Sequence, residues 1–488
     1  MAVAIKRAAD LALTCFLCAP FGGTAGGMTD FASLIAADRG QAARSLTLVA
    51  KADFADWFKS QPPRTRAAVD AARFEAKPDT LAILPGDDAE EWSVAIGVDK
   101  AGGPWVLANA AAKLPEGLYR LAEGMPGDAA LGWLLAQHRF DRYREKPDMQ
   151  GPRVLLTSEP ARIDEAVRLA EATALVRDLV DTGAGDLGPA ELADAAKAVA
   201  DRNGGKFHVT QGDALAEGYP MVHAVGRAAT KARAPRLIEI EWGDPKYPRV
   251  ALVGKGVCFD SGGLDIKNAT GMLLMKKDMG GAAHALALAG LIMAARLPVR
   301  LHLLIPAVEN AISGDAFRPG DILRSRKGLF VEIGNTDAEG RLILGDALAR
   351  ACEEEPALLL DFATLTGAAR IALGPDLPAL FANDETLAAD VVAAADAVSD
   401  PVWRLPLWQP YNEMLKSEVA DINNAPGGGF AGTITAALFL ERFVAASVPW
   451  AHLDTFAWRP SAKPGRPKGG DALGLRAAWE LLRRRFGN

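Results

Sequence analysis

The sequence predicts an α/β fold, with a small N-terminal α/β domain and a larger C-terminal domain whose mixed, largely parallel sheet is covered by helices. Three observations support this. The chain has 488 residues, which favours two domains over one core. From residue 207 onward, apolar strand-like runs alternate with helical patterns, as in sheets covered on both faces. Before residue 156 the apolar runs are shorter and mixed, as expected of a smaller unit.

The first 27 residues stand apart from these domains. Lys6 and Arg7 precede an apolar run over 11–19, as in a weak secretory signal, but no clean small-residue cleavage site follows. Met28 opens a sequence that is typical of a protein start. We therefore interpret residues 1–27 as a non-native extension upstream of the true start or, alternatively, as a weak signal-like segment.

Residues 28–156 form the predicted N-terminal domain. They contain no grouping of side chains that points to chemistry. The predicted strands are 46–49, 81–84, 92–98, 105–107 and 153–156, and the predicted helix is 131–143.

A long helical pattern over 163–180 predicts a connecting helix within residues 157–182, and the larger C-terminal domain follows over 183–488. Its predicted strands are 236–242, 249–253, 300–305, 329–333, 357–362 and 450–453, and its predicted helices are 189–200, 280–296, 342–353, 387–398 and 432–444.

Composition excludes several classes of protein. Half the residues are apolar and 24% are charged, an ordinary globular balance, and the net charge of −7 argues against nucleic acid as a partner. The apolar runs are too short to span a membrane. Of the four cysteines, Cys15 and Cys18 have the spacing of a zinc-ligand pair, but no second pair accompanies them, so we do not interpret them as a metal site. Cysteine this sparse fits a reducing compartment and a cytoplasmic protein.

The most informative stretch is Asn-Thr-Asp-Ala-Glu-Gly-Arg-Leu at residues 335–342. Asp337 and Glu339 are two residues apart, so an extended backbone directs both side chains to one side, just after the predicted strand 329–333. Two carboxylates at a strand end suit a divalent cation. A solvated acidic turn that caps a helix is the alternative on this stretch alone.

A second stretch, residues 253–267 with 275–281, places charged side chains among glycines, which allow close backbone approach to a ligand. Lys255 and Asp260 follow one predicted strand, and Lys267 and Asp278 come later. Together with Asp337 and Glu339 they give four carboxylates without a nearby histidine, enough for two metals. Ligands bind beyond the carboxyl ends of parallel strands, where residues 364–367 also lie.

Both stretches resemble the signature of the leucyl aminopeptidase (cytosol aminopeptidase) family of dinuclear metallopeptidases. Residues 335–342 are identical to the hallmark of that family, and residues 255–263 match it nearly throughout. The resemblance implies a metal-dependent aminopeptidase that hydrolyses N-terminal residues from peptides, leucine-like ones preferred, with a water activated by two metals.

The resemblance also implies roles for individual residues. Lys267 would polarise the carbonyl or stabilise the oxyanion, and Arg341 would hold a bicarbonate or water that acts as general base. The implied metal ligands are Lys255, Asp260, Asp278, Asp337 and Glu339, with Asp260 and Glu339 bridging. The implied substrate contacts are Lys267, Met275, Thr364, Leu365 and Gly367.

Three of these residues have plainer alternatives. Lys255 could form a salt bridge to Asp260 without binding metal. Arg341 could be a helix-start arginine that pairs with Asp337 or Glu339. Met275 could be a core residue.

The expected cofactors are two divalent ions per subunit, manganese or zinc, with bicarbonate at Arg341, and the resemblance implies a homohexamer. The partners expected are peptide substrates, with no membrane and no nucleic acid. One alternative function is a dinuclear-metal amidase or phosphoesterase, and the absence of histidine ligands argues against most phosphoesterases. Another is a non-enzymatic DNA-binding regulator on the same fold, which the acidic charge does not support. A catalytically dead scaffold is disfavoured because every charged position of the family pattern is filled.

Overall fold

The computed structural model describes residues 29–88, 90–99, 102–145 and 150–487. The interpretation of residues 1–27 therefore lies outside the described residues. No helix in the described ranges combines the length and apolar character needed to cross a membrane.

The first sheet lies within residues 35–157, and its edge pair β3–β4 is antiparallel while its other described neighbours are parallel. The strand order is β1-β6-β5-β2-β4-β3. The strands are β1 (Ile35–Ala37), β2 (Arg44–Ala50), β3 (Leu81–Pro85), β4 (Trp92–Val98), β5 (Gly117–Leu121) and β6 (Arg153–Thr157).

Short helices cover this sheet, and a core that includes Leu46, Ile96 and Trp133 lies beneath them. A longer helix, α5, leads out of the sheet. The helices are α1 (Phe54–Ser60), α2 (Pro63–Ala71), α3 (Ala108–Lys113), α4 (Ala129–Leu135) and α5 (Ile163–Asp181).

Two predictions for this region are wrong in detail. The predicted strand 105–107 is a turn that leads into α3, and its apolar character comes from packing on the core, where Leu107 is buried. The predicted helix 131–143 ends early, at the end of α4. Beyond it, His138 bonds to Asp178, so polar contacts with neighbouring segments replace further helical turns.

Helix α5 joins the two halves of the described chain. Its early residues Ala170 and Ala174 pack in the core of the first sheet. Its later residues Val176 and Val180 pack in the core of the second. The long helical pattern in the sequence corresponds to this helix.

The strands that follow form a large sheet, a three-stranded sheet and a two-stranded sheet within the described ranges. They are β7 (Lys206–Gln211), β8 (Arg236–Trp242), β9 (Arg249–Gly254), β10 (Gly256–Asp260), β11 (Arg300–Asn310), β12 (Ile322–Arg324), β13 (Phe330–Glu332), β14 (Leu358–Ala363), β15 (Ala379–Ala382), β16 (Trp403–Arg404), β17 (Ile422–Asn423), β18 (Trp450–Asp454), β19 (Trp458–Arg459) and β20 (Gly469–Gly470).

The large sheet is mixed, with a parallel centre. Its order is β16-β15-β18-β14-β9-β11-β8-β7, and β10 pairs in parallel with the end of β11. The four central strands β18, β14, β9 and β11 are parallel to one another, while β7, β8 and β15 run antiparallel to their inner neighbours. The predicted fold class is confirmed.

Helices cover both faces of this sheet. Successive residues of a strand therefore pack in different cores, as Leu252 does in one and Val253 in the other. The helices are α6 (Pro189–Asn203), α7 (Asp213–Gly218), α8 (Pro220–Gly226), α9 (Ala269–Met272), α10 (Gly280–Ala294), α11 (Glu339–Cys352), α12 (Gly367–Leu373), α13 (Glu385–Ala397), α14 (Gly432–Glu441) and α15 (Leu475–Phe486).

One predicted strand lies elsewhere than expected. The segment predicted at 329–333 is β13, which pairs with β12 and β17 in the three-stranded sheet and is not part of the large sheet. A local hairpin with β12, turning at Gly328 with φ +93°, provides its partner. Asp337 therefore lies in a turn and Glu339 begins α11, so the predicted extended backbone between them is wrong.

Candidate metal centre

A cavity of about 560 Å³ opens at the carboxyl ends of the central strands β9, β14 and β18. This is the position at which open α/β sheets bind ligands. Every residue predicted to bind metal, act in catalysis or contact substrate lines it: Lys255, Asp260, Lys267, Met275, Asp278, Asp337, Glu339, Arg341, Thr364, Leu365 and Gly367.

Different elements bring the predicted ligands together. Lys255 follows β9 directly, and Asp260 ends β10. Asp278 follows a single 3₁₀ turn just before α10, and Glu339 is the first residue of α11. Residues far apart in sequence thus meet because strand ends and helix starts share one edge of the sheet.

Three carboxylates form the centre of the site. Ligand oxygens of Asp260, Asp337 and Glu339 lie within 4.8 Å of one another. Asp260 and Glu339 are almost completely buried, and Oε2 of Glu339 has no hydrogen-bond partner. Crowded, buried carboxylates with a free oxygen match the ligands that hard divalent cations require, so this donor set fits a metal centre.

The crowding perturbs the acidity of two of these groups. Burial, with the charge of Asp260, raises the pKa of Glu339 to about 8. The same two causes raise the pKa of Asp337 to about 6, although Lys267 opposes them. Both carboxyls thus favour their protonated form more than usual, as expected when like charges share a dry site.

Lys255 lies among these carboxylates. Its Nζ atom is 2.7 Å from Oδ2 of Asp278 and 3.0 Å from Oε1 of Glu339, and it donates to the carbonyl of Thr364 at 3.2 Å. Burial alone would depress the pKa of Lys255, but the surrounding carboxylates outweigh it and hold that pKa above its ordinary value. The alternative salt bridge from Lys255 to Asp260 is not formed in the described structure; its partners are the other two acids.

Gly340 makes room for Lys255. A Cβ atom at residue 340 would lie 2.4 Å from Cε and 2.7 Å from Nζ of Lys255, closer than side-chain atoms approach. Residue 340 of the octapeptide must therefore be glycine, because Lys255, 85 positions earlier in the sequence, approaches it closely.

Lys267 provides a second cation. Its Nζ atom is 2.7 Å from Oδ2 of Asp260, and it forms a closer ion pair with Asp337. Burial opposes the charge of Lys267, but Asp260 and Glu339 outweigh it and raise its pKa. A positive group thus lies at the edge of the carboxylate cluster and faces the cavity.

Arg341 is buried, and not all of its N–H donors have hydrogen-bond partners. Its Nη1 atom donates to the carbonyl of Asn424 at 2.8 Å, while its Nε atom has no hydrogen-bond partner. Burial lowers the pKa of Arg341 to about 10, so the guanidinium stays charged at neutral pH. Within the described structure it forms no ion pair with Asp337 or Glu339, so that alternative is wrong.

The predicted substrate contacts surround the remaining space. Met275 is half-buried on the cavity wall and does not belong to the described cores. The hydroxyl of Thr364 donates to Oδ1 of Asp278 at 2.8 Å, so it also holds a predicted ligand in place. The backbone N–H of Leu365 donates to Asp454 at 3.0 Å.

Lys277 is a further cation on this wall, which the sequence did not single out. It lies one residue before Asp278 and is 6% exposed. Burial lowers its pKa to about 8, which leaves it mainly protonated at neutral pH.

Sequence reasoning also missed several neutral partners. Asn310, at the end of β11, donates to Oδ1 of Asp260 at 2.9 Å. Thr336 donates to the carbonyl of Gly262 at 2.6 Å, joining the octapeptide to the glycine-rich stretch. Asn310 has no motif around it. Asp454, by contrast, ends a central strand, and the strand-end rule would have found it.

The histidines take no part in this site. His284, His302 and His452 are buried in the protein interior, and no described histidine lines the cavity. Cys258 is also buried away from the cavity, and burial raises the pKa of its thiol. The potential metal donors at this site are therefore carboxylate oxygens and a lysine nitrogen.

Fold and site together define a metal-dependent hydrolase with an oxygen-rich centre at the edge of a parallel sheet. Residues 174–478 match the catalytic domain model of the cytosol aminopeptidase family, and residues 45–155 match the model of the M17 aminopeptidase N-terminal domain. The chain belongs to the cytosol aminopeptidase family and is a metal-dependent aminopeptidase. The resemblance and the enzyme class predicted from the sequence are confirmed.

Named relatives agree with this assignment. A probable cytosol aminopeptidase of Syntrophotalea carbinolica is 40% identical over 402 residues, covering 79% of this chain and 78% of the relative. The crystal structure of the cytosol aminopeptidase from Coxiella burnetii is 45% identical, with a TM-score of 0.88 over 93% of this chain and 99% of that one. The bottromycin maturation enzyme BotP in complex with Mn is 35% identical, with a TM-score of 0.81 over 91% of this chain and all of that one.

Proposed function

We propose that this aminopeptidase removes N-terminal residues from peptides, leucine-like ones preferred, at a centre of two divalent cations. The observation that carries the proposal is the buried cluster of Asp260, Asp337 and Glu339, with its free carboxylate oxygen. The proposed ligands are Lys255, Asp260, Asp278, Asp337 and Glu339. Two bound cations supply an activated water and polarise the scissile carbonyl.

Lys255 has to change its protonation state to act as a ligand. In its present contacts it is an ammonium that neutralises Asp278 and Glu339. Dications bound to the same carboxylates would take over that neutralisation and repel the ammonium, so Lys255 would give up its proton. The apolar neighbours Val253 and Val257, both fully buried, favour the neutral amine.

Lys267 is proposed to stabilise negative charge on the substrate. It lies at the cavity edge, and its long side chain carries three donors on a flexible stem. Once the carboxylates are neutralised by metal, its ammonium can donate to the carbonyl oxygen as that oxygen becomes an oxyanion.

Arg341 is proposed to hold the group that moves protons. Its unpartnered Nε and its buried positive charge suit a small oxygen-bearing anion or a water. A bicarbonate or water held there would take a proton from the attacking water and return it to the leaving amine. Asn424 fixes the guanidinium from the other side.

The leucine preference rests on the cavity walls. Met275 offers an unbranched, adaptable apolar surface to a substrate side chain. Thr364, Leu365 and Gly367 stand at the end of β14 and the start of α12, where backbone groups can hold the peptide.

Manganese or zinc is the proposed metal, since carboxylates with a single amine suit both, and one solved structure of the similar enzyme BotP is in complex with Mn. A cytoplasmic homohexamer is proposed from the family resemblance, and the names of the curated relatives support the location. Size-exclusion chromatography with light scattering tests the assembly.

The proposed function is tested by hydrolysis of a panel of aminoacyl amides. We expect leucinamide to be cleaved faster than glycinamide, with activity lost in chelator and restored by manganese or zinc. Activity that persists in chelator would overturn the metal requirement. Hydrolysis of every amide at one rate would overturn the leucine preference.

A further inference from the structure

Lys277 is a buried cation that forms no ion pair with any described residue, and it lines the active-site cavity. Its side chain is 94% buried, yet within the described ranges its Nζ atom forms no hydrogen bond and no ion pair. A buried ammonium that lacks an anion is unfavourable. The open side of Lys277 is the cavity itself, so a bound molecule can supply the missing charge.

Nearby carboxylates are already engaged. Asp278 pairs with Lys255 and accepts the hydroxyl of Thr364. Asp454 accepts the backbone N–H of Leu365 at 3.0 Å and the hydroxyl of Thr366 at 2.6 Å. Both acids favour the charged form of Lys277 from a distance, but neither forms an ion pair or a hydrogen bond with it in the described structure.

A second cation lies beside the first. The Nζ atom of Lys277 is 5.1 Å from the centroid of the Phe456 ring, and Cζ of Arg370 is 5.2 Å from the same centroid. Arg370 is exposed, lines the cavity and forms no ion pair with any described residue. Cation–π contacts of this kind are weak beside a full ion pair and do not replace a counter-ion.

These cations share their elements with the proposed substrate contacts. Lys277 closes the 3₁₀ turn that begins at Met275. Arg370 lies one turn after Gly367 on α12, so the two residues share a helix face. The wall of the cavity is therefore apolar at Met275 and Phe456 and positive at Lys277 and Arg370.

We propose that Lys277, assisted by Arg370, is a specificity-determining residue that binds the side-chain carboxylate of an acidic N-terminal residue. The enzyme then releases N-terminal glutamate in addition to leucine-like residues. The methylene groups of glutamate pack on the apolar part of the wall, and its carboxylate accepts charge-assisted hydrogen bonds from the cations. The inference rests on the proposed aminopeptidase function and names a further substrate class for the same site.

The test compares p-nitroanilides of glutamate, glutamine and leucine, which share one leaving group and lack a C-terminal carboxylate. Glutamine matches glutamate in shape without its charge. We expect the manganese-loaded enzyme to prefer glutamate over glutamine. In Lys277→Met the ratio of kcat/KM for glutamate to glutamine should fall by about tenfold or more, chiefly through KM.

Lys276→Met is the matched control. Lys276 adjoins Lys277, but its Nζ atom donates to the carbonyl of Asp181 and it does not line the cavity. The glutamate-to-glutamine ratio should stay at the wild-type value in this variant. An equal fall in Lys276→Met would show that the effect is structural and would overturn the proposal.

A binding measurement checks the same point without turnover. Calorimetric titration with free L-glutamate and L-glutamine should show tighter glutamate binding to the wild type and loss of that difference in Lys277→Met. Equal binding of the two amino acids to the wild type would overturn the proposal.

These measurements also distinguish a failure of the proposed function from a failure of the proposed role of Lys277. No hydrolysis of the leucine anilide by the metal-loaded wild type would contradict the proposed function itself. Leucine hydrolysis without any preference for glutamate over glutamine would overturn only the role of Lys277. If Lys277→Met instead impairs cleavage of the dipeptide Leu-Gly and spares the glutamate anilide, the lysine binds a C-terminal carboxylate and the proposal is wrong.

Discussion

The ammonium of Lys255 and the carboxylate of Asp278 form a buried ion pair of 2.7 Å in the wall of the cavity. The lysine comes from the end of a central strand and the acid from the turn before a helix. Gly340, from a third element, packs against the same lysine. The position of this one amine therefore depends on three segments that the sequence keeps far apart.

A methyl group at residue 340 should displace that lysine. In Gly340→Ala the added Cβ would lie 2.4 Å from Cε of Lys255, so the side chain has to move away from Asp278 and Glu339. We expect manganese affinity to weaken by about tenfold or more, since loss of a ligand or of its support has that effect. Isothermal titration calorimetry measures the affinity directly.

Gly314→Ala is the control for this change. A Cβ atom at residue 314 meets no atom within 4 Å, so the substitution should not alter metal binding. Equal manganese affinity in Gly340→Ala and the wild type would show that Lys255 does not depend on this glycine.

Metal binding should depend on pH with a definite sign. The metal binds the deprotonated carboxylate, and the pKa of Glu339 is about 8 in the metal-free protein. Below pH 8 binding therefore releases a proton from Glu339, and below about pH 6 Asp337 contributes another. Affinity should rise steeply between pH 5 and 8 and less steeply above pH 8, where Lys255 still has to lose its proton for metal to bind.

The same prediction can be checked by measuring the protons released when manganese binds. Calorimetry of manganese binding at pH 7 in buffers of different ionisation enthalpy should give a net release of protons. Affinity that is constant between pH 6 and 8, or that falls as pH rises, would contradict the buried carboxylate cluster as the binding site.

Lys267 and Arg341 should affect the reaction more than the metals. Each lines the cavity without being a carboxylate, and interactions made only in the transition state lower kcat and kcat/KM together when removed. Lys267→Ala should lose about 10²–10³-fold in kcat, the usual cost of one oxyanion donor. Arg341→Ala should lose less if added bicarbonate or water still relays the proton.

Metal analysis has to accompany those kinetics. Both variants should retain two metals per chain, and Arg324→Ala, which alters an exposed arginine outside the cavity, should match the wild type in both measurements. A normal kcat, or a loss of metal, in either variant would show that the proposed role of that residue is wrong.

Much of the fold follows from apolar periodicity. The strand predicted at 236–242 is observed as β8, and the strand predicted at 450–453 as β18 with one further residue, because each is a short, largely apolar segment of strand length. The strand predicted at 329–333 illustrates the limit. Periodicity identifies a strand but not its partner, and β13 pairs locally with β12.

The residues of the candidate site were likewise only partly predictable from the sequence. Charged residues within dense motifs could be singled out from the sequence, and all of them line one cavity. Asn310 and Asn424 could not, because neutral amides leave no spacing signal and act only through contacts formed in the fold. The premise for Asp337 and Glu339, an extended backbone, was wrong, yet a turn followed by a helix start still brings their carboxylates together.

The most direct test of the metal centre is the number of metals bound per chain, measured by elemental analysis after manganese loading and dialysis. We expect two metals per chain in the wild type, well under two in Asp260→Ala, and two in the control Asp315→Ala, whose exposed side chain lies outside the cavity. Two full equivalents in Asp260→Ala, or fewer than two in the wild type, would contradict a two-metal centre built on this carboxylate cluster.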